Sequence, residues 1–205
     1  MTRLYAYIAT LLVAALLGGI GIFVYRGQPT DQFAECSSSS IAAGKATIGG
    51  PFELVRHDGV TVTDRDVITK PSLVYFGYTY CPDVCPTDNA RNAEAIDLLT
   101  EKGLDVTPVF ISIDPNRDTP EVMADFVGYM HEKMIGLTGT PEQVKTASLA
   151  YKTYYRRTSE DEDYLVDHST FTYLVLPEHG FVEFFRRDIT PAQMAKTVAC
   201  FVKAS

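Results

Sequence analysis

Hydrophobic positions fall into three regimes along the chain. Residues 4–25 form an uncharged apolar run. As a helix rising about 1.5 Å per residue it measures about 33 Å, enough to cross a hydrocarbon core of about 30 Å. Residues 27–47, with Gly27, Pro29, a serine run at 37–40 and Gly44, carry no hydrophobic period and read as a flexible tether. From 48 to 205, apolar runs alternate with helical patterns without a second linker, which predicts one domain. Segments 52–55 and 60–62 flank His57, Asp58 and Gly59, and Asp-Gly between alternating segments predicts an N-terminal β-hairpin. The nearly continuous β-former run 72–78 predicts a strand buried on both faces. A helix follows from about Thr87, with Ala93, Ile96 and Leu99 on one stripe and Lys102-Gly103 ending it. A second buried strand covers 106–113. Thr119-Pro120, Thr140-Pro141 and Thr190-Pro191 each place a capping hydroxyl before a proline at the first helical position, so each starts a helix. Between them fall a short strand at 134–137, a hairpin around the acidic 159–163, and strands at 171–176 and 181–185 joined by a turn at 177–180.

Composition narrows the class. With 46% hydrophobic residues, 14 Gly and 4 Cys in 205 residues, the chain is neither disordered, nor collagen-like, nor a disulfide-dense scaffold. A net charge of -8 and the lack of a long basic run argue against a nucleic-acid grip on phosphates. The apolar run at 4–25 reads as an uncleaved transmembrane anchor comprising residues 1–26. A signal peptide has an apolar core of about 7–15 residues and a small-residue exit, which Phe23-Val24-Tyr25-Arg26 does not provide. The amino terminus and Arg3 precede the span and only Arg26 follows closely, a basic bias that sets the N-terminus inside. The acidic domain then lies on the outer, periplasmic side of a bacterial-type inner membrane.

The sharpest chemistry is Cys81 and Cys85, four apart where the first buried strand meets its helix. Backbone N–H groups and the helix dipole favour negative charge there, so both thiols are expected to be acidic. Together with a terminal ββα unit, this motif predicts an α/β, thioredoxin-like architecture. Such a pair can exchange disulfides or offer two soft thiolates to a metal; three intervening residues rather than two weaken the oxidoreductase reading. Of the four histidines, His57, His131 and His179 read as solvated surface residues. His168 reads as the start of a buried strand, where its imidazole can project as a third ligand with Asp167 as a charge partner; a histidine merely bonded at a strand start is the alternative. Two thiolates and one imidazole suit Cu(I), with Cu(II) tolerated when a further donor is present; structural zinc wants four ligands from closely spaced pairs. Cys36 and Cys200 bracket the domain, and an even count in an oxidising compartment favours their pairing, pinning the tether. The acidic 158–163 stretch reads as a solvated loop, or as a docking surface for a basic partner, with Arg186-Arg187 as its counterpart elsewhere.

Segments 76–86 (Phe-Gly-Tyr-Thr-Tyr-Cys-Pro-Asp-Val-Cys-Pro), 110–115 (Phe-Ile-Ser-Ile-Asp-Pro), 117–120 (Arg-Asp-Thr-Pro), 136–139 (Gly-Leu-Thr-Gly) and 167–169 (Asp-His-Ser) resemble the Sco/SenC family of copper-binding cytochrome c oxidase assembly proteins. With the anchor and tether, the resemblance covers nearly the whole chain in order. It implies a membrane-anchored thioredoxin-like domain, 48–205, whose Cys81, Cys85 and His168 bind one copper ion and help deliver it to the binuclear copper A centre of oxidase subunit II. Asp167 is carried over as a neighbour affecting the site. Tyr80 stands where Phe is common, which adds a hydroxyl nearby. The resemblance leaves three activities open: metallochaperone, thiol-disulfide reductase keeping the receiving cysteines reduced, and redox sensor. Other periplasmic copper chaperones or thiol reductants are the further partners it implies. A peroxidase is disfavoured because no peroxide-activating neighbourhood is recognisable.

Overall fold

The computed structural model describes residues 2–26, 32–37 and 48–205. The chain forms two compact units, one up to Gln32 and one from Phe33. In the first, α1 (Thr2–Arg26) exposes Leu11, Leu12, Val13, Leu16, Leu17 and Ile20. Among the described residues no helix is long and apolar enough to cross a membrane, so the transmembrane anchor expected at residues 1–26 is not borne out by them. Most of the tether expected at 27–47 lies outside the described residues. The part inside is not uniform tether: residues 32–37 form a turn in which Cys36 N and Ser37 N donate to Phe33 O.

The second unit runs β1 (Glu53–Arg56), β2 (Thr61–Thr63), α2 (Asp64–Val67), β3 (Ser72–Gly77), α3 (Val84–Thr100), β4 (Thr107–Ser112), α4 (Pro120–Met130), β5 (Ile135–Thr138), α5 (Pro141–Ala150), β6 (Tyr155–Arg157), β7 (Val166–His168), β8 (Thr172–Leu176), β9 (Gly180–Phe185) and α6 (Pro191–Ala204). Among the described residues, seven strands form one sheet in the order β2-β1-β5-β4-β3-β8-β9, while β6 and β7 pair separately. β3 lies parallel to β4 and antiparallel to β8, and every residue of β3 is buried, as its unbroken apolar run requires. The β3-α3-β4 crossover beside the antiparallel β8-β9-α6 unit is the thioredoxin-like pattern. α3 and α6 contribute Ile96, Leu99, Met194 and Val198 to one apolar cluster with Leu73 and Leu174; Met123 and Val127 of α4 and Val144 of α5 join a second.

The three Thr-Pro starts lie where the sequence puts them. Thr119, Thr140 and Thr190 accept from the N–H groups of Val122, Gln143 and Gln193, and Gln143 and Gln193 return a carbonyl to the threonine N–H. Two boundaries differ. α3 begins at Val84 rather than near Thr87, because Pro86 is tolerated within a first helical turn and no capping side chain marks the start. His168 does not open the long buried strand: it ends β7, and residues 169–171 intervene before β8. The short α2 carries no hydrophobic period to announce it; it is fixed by the Asp66 carboxylate accepting from Thr63 N and Oγ1.

Candidate metal centre

The site is assembled from the end of β3, the first turn of α3 and the tip of β7. β3 stops at Gly77, where a Cβ would lie 2.9 Å from each of Cys85 Sγ, the Phe110 ring and the Tyr75 ring, so only glycine lets the helix mouth close onto the strand. The following loop is held by Asp118, fully buried, whose carboxylate accepts from Thr79 N, Thr79 Oγ1 and Ser112 Oγ. Burial pushes the Asp118 carboxyl upward against those hydrogen bonds. The loop delivers Cys81, 8% exposed, and α3 delivers Cys85, fully buried.

Cys81, Cys85 and His168 present ligand atoms that all lie within 4.8 Å of one another. Neither cysteine is in a disulfide. Cys85 N–H donates to Cys81 Sγ at 3.2 Å, and Cys85 Sγ lies 3.4 Å from His168 Nε2. His168 Nδ1 sits 2.8 Å from the Ser169 carbonyl, an acceptor only. Nδ1 therefore carries the proton, and the Nε2 lone pair is turned toward the sulfurs. The two thiols diverge. A hydrogen bond from the Cys85 thiol, aided by the N–H groups of Cys85 and Asp83, lowers Cys81 to about 3. Cys85 is pushed up by donating that hydrogen bond and by burial. The expectation of two acidic thiols thus holds for one: a single proton is retained between them, on the deeper sulfur.

The imidazole is walled by Tyr78 and Tyr75, edge-on with ring centroids 5.9 and 6.2 Å away. The Tyr78 hydroxyl accepts from Val166 N and ties β7 to the cysteine loop. Behind it, Tyr75 donates to buried Asp88 at 3.0 Å, which faces Arg187 Nε at 3.3 Å and Arg91 Nη1 at 3.6 Å. Arg187 is thus engaged at the back of the site rather than standing free as a surface counterpart to the acidic loop.

Asp167 is not the partner of the imidazole. Side chains alternate along β7, so its carboxylate faces solvent and lies 3.8 Å from Arg156, while the Ser169 carbonyl takes the role expected of it. His57 is half-buried, its Nδ1 accepting from Gly136 N, and His131, with its side chain 8% exposed, is not a solvated surface residue: it accepts from Lys133 N and lies 3.3 Å from Asp97. His179 is exposed, edge-on to Phe33. Tyr80 contributes its ring, which lies beneath the Arg117 guanidinium at 4.7 Å. The expected Cys36–Cys200 disulfide is formed, with Cα atoms 5.6 Å apart.

Fold and site together define a class: a thioredoxin-like domain whose cysteine pair at a helix mouth is completed by an imidazole from a hairpin, a soft-donor constellation. A family model described as SCO1/SenC matches residues 41–203. The chain belongs to the SCO1/SenC family. It is 55% identical over 200 residues to Protein SenC of Rhodobacter capsulatus, spanning 97% of this chain and 90% of that one. It is 45% identical to the mitochondrial Protein SCO1 homolog 1 of Arabidopsis thaliana over 82% of this chain, and spans about half, 52%, of that protein's length. Among solved structures it resembles Arabidopsis thaliana ScoI with copper bound, with a TM-score of 0.72, 44% identity, and coverage of 76% of this chain and 99% of that one.

Proposed function

We propose that this protein is a membrane-anchored copper metallochaperone that holds one copper ion through Cys81, Cys85 and His168. It assists assembly of the binuclear copper A centre of cytochrome c oxidase subunit II, from the periplasmic side of a bacterial-type inner membrane. The observation that carries the reading is the convergence of two sulfurs and a lone-pair nitrogen from separate elements within 4.8 Å. This donor set suits Cu(I), with Cu(II) admitted by a further donor. The copper-bound relative supports it, as does the apolar surface of α1, which suits a hydrocarbon environment on several faces. Cys81 supplies a ready thiolate, Cys85 releases its proton on loading, and the Ser169 carbonyl keeps His168 Nε2 aimed inward.

One observation favours a second reading, thiol-disulfide reductase: a low-lying Cys81 thiol adjoins a protonated Cys85. The Cys81 thiolate would attack a partner disulfide, releasing one partner thiolate. Cys85, giving up its proton, would then displace the second, leaving a Cys81–Cys85 disulfide and two reduced partner cysteines.

The test is Cu(I) stoichiometry and affinity of the full chain in detergent micelles, with Cys81 and Cys85 reduced, by competition with a chromophoric chelator. One-to-one binding is expected, weakened by more than about tenfold in each of Cys81→Ala, Cys85→Ala and His168→Ala. Weak binding that is indifferent to His168→Ala would hand the function to the reductase.

A further inference from the structure

Arg117 touches neither the thiols nor the imidazole, yet it occupies the seam between the two halves of the site. Its guanidinium carbon lies 3.7 Å from the ring centroid of Tyr164, in the β6–β7 hairpin that carries His168, and 4.7 Å from that of Tyr80, in the loop that carries Cys81. Arg117 Nε donates to Asp114 Oδ2 at 2.5 Å, and the Tyr164 hydroxyl donates to Oδ1 of the same carboxylate at 2.6 Å. Asp114 is buried just beyond β4, so the stack is fixed to the rigid sheet. Arg117 Nη2 is buried without a hydrogen-bond partner, so ring stacking is what holds that edge of the guanidinium.

Beside the Tyr78–Val166 hydrogen bond, this stack gives the hairpin a second fastening. β6 and β7 pair only with each other among the described strands, and two strands alone are marginal in water. Asp118, the next residue, grips the cysteine loop through Thr79. Two consecutive residues thus hold the two ligand-bearing segments from one short turn.

We propose that Arg117 is a positioning residue that sets the distance from His168 to the thiols by locking the β6–β7 hairpin onto the cysteine loop. It does so through Tyr164, Tyr80 and Asp114. The inference rests on the metal-site reading above, since His168 is the group being positioned.

The test is a double-mutant cycle on Cu(I) affinity in the full chain, paired with amide hydrogen exchange over residues 155–168 of the metal-free protein. Arg117→Ala is expected to weaken Cu(I) binding about 10–100-fold, the range for groups that orient a ligand. Arg117→Lys, which keeps the charge beside Asp114 but loses the planar stack, should recover part of it. In a His168→Ala background Arg117→Ala should cost nothing further, and hairpin amides should exchange at least about tenfold faster while β3, β4 and β8 are unchanged. Tyr164→Leu removes the ring from the hairpin side and should reproduce both effects should Arg117→Ala fail to fold. Equal losses in both backgrounds, or unaltered hairpin exchange, would overturn the proposal. If His168→Ala alone leaves Cu(I) affinity unchanged, the ligand assignment fails; the exchange data then decide Arg117 by themselves, a loosened hairpin upholding the lock and an unchanged one refuting it.

Discussion

Cys81 and Cys85 belong to one motif, yet the fold separates their chemistry. Cys81 receives hydrogen bonds and drops to about 3, while Cys85 donates and rises. Between the folded value and an ordinary thiol value of about 8.5, the native state binds fewer protons than the unfolded chain. Stability from Cys81 is therefore fully present above the unfolded value and is lost as pH falls through about 3. Ultraviolet thiolate absorbance of the reduced, metal-free protein should show one thiolate still present at about pH 5, and Cys81→Ser should abolish it. A signal that disappears below about pH 8 would refute the assignment. Cys81, Cys85 and His168 were legible in the sequence because their side-chain types and the strand-to-helix junction announce the chemistry. What orients them was not. The Ser169 carbonyl is backbone and carries no residue signature, and the Arg117–Tyr164 stack joins residues distant in the chain that only the folded hairpin brings together.

Elements were legible in proportion to the local chemistry that starts and stops them. The Thr-Pro helix starts are marked by a cap and a fixed φ, and the structure begins α4, α5 and α6 at those prolines. α3 has no such mark: its position is set by tertiary packing of Cys85 against β3. The strand assignment of His168 failed because no glycine or proline marks a break between His168 and the run 171–176, although residues 169–171 separate β7 from β8 and the two lie in different sheets. The contact of α3 with β3 gives its own prediction. Gly77→Ala places a methyl 2.9 Å from Cys85 Sγ and two aromatic rings, so something must shift. It should destabilise the fold by about 1–3 kcal/mol, the range for overpacking, and weaken Cu(I) binding as well, as measured by denaturant unfolding and chelator competition. Wild-type values in both would show that the helix mouth is less tightly packed than described.

For the molecule as a whole, the cross-link between Cys36 and Cys200 does what no local contact does. It ties the segment before the domain to α6 across 164 residues of sequence, with Phe33 packing on Phe201 beside it. Replacing both cysteines by serine should lower the unfolding free energy by about 2–5 kcal/mol, through the freed unfolded chain, and leave Cu(I) affinity unchanged because Cys81 and Cys85 are held elsewhere. A loss of copper binding would contradict that separation. The same bond gives α6 a covalent fastening beside its packing on Leu73 and Leu174, so reducing this bridge should loosen the last helix, read as faster amide exchange there, before it touches the central sheet.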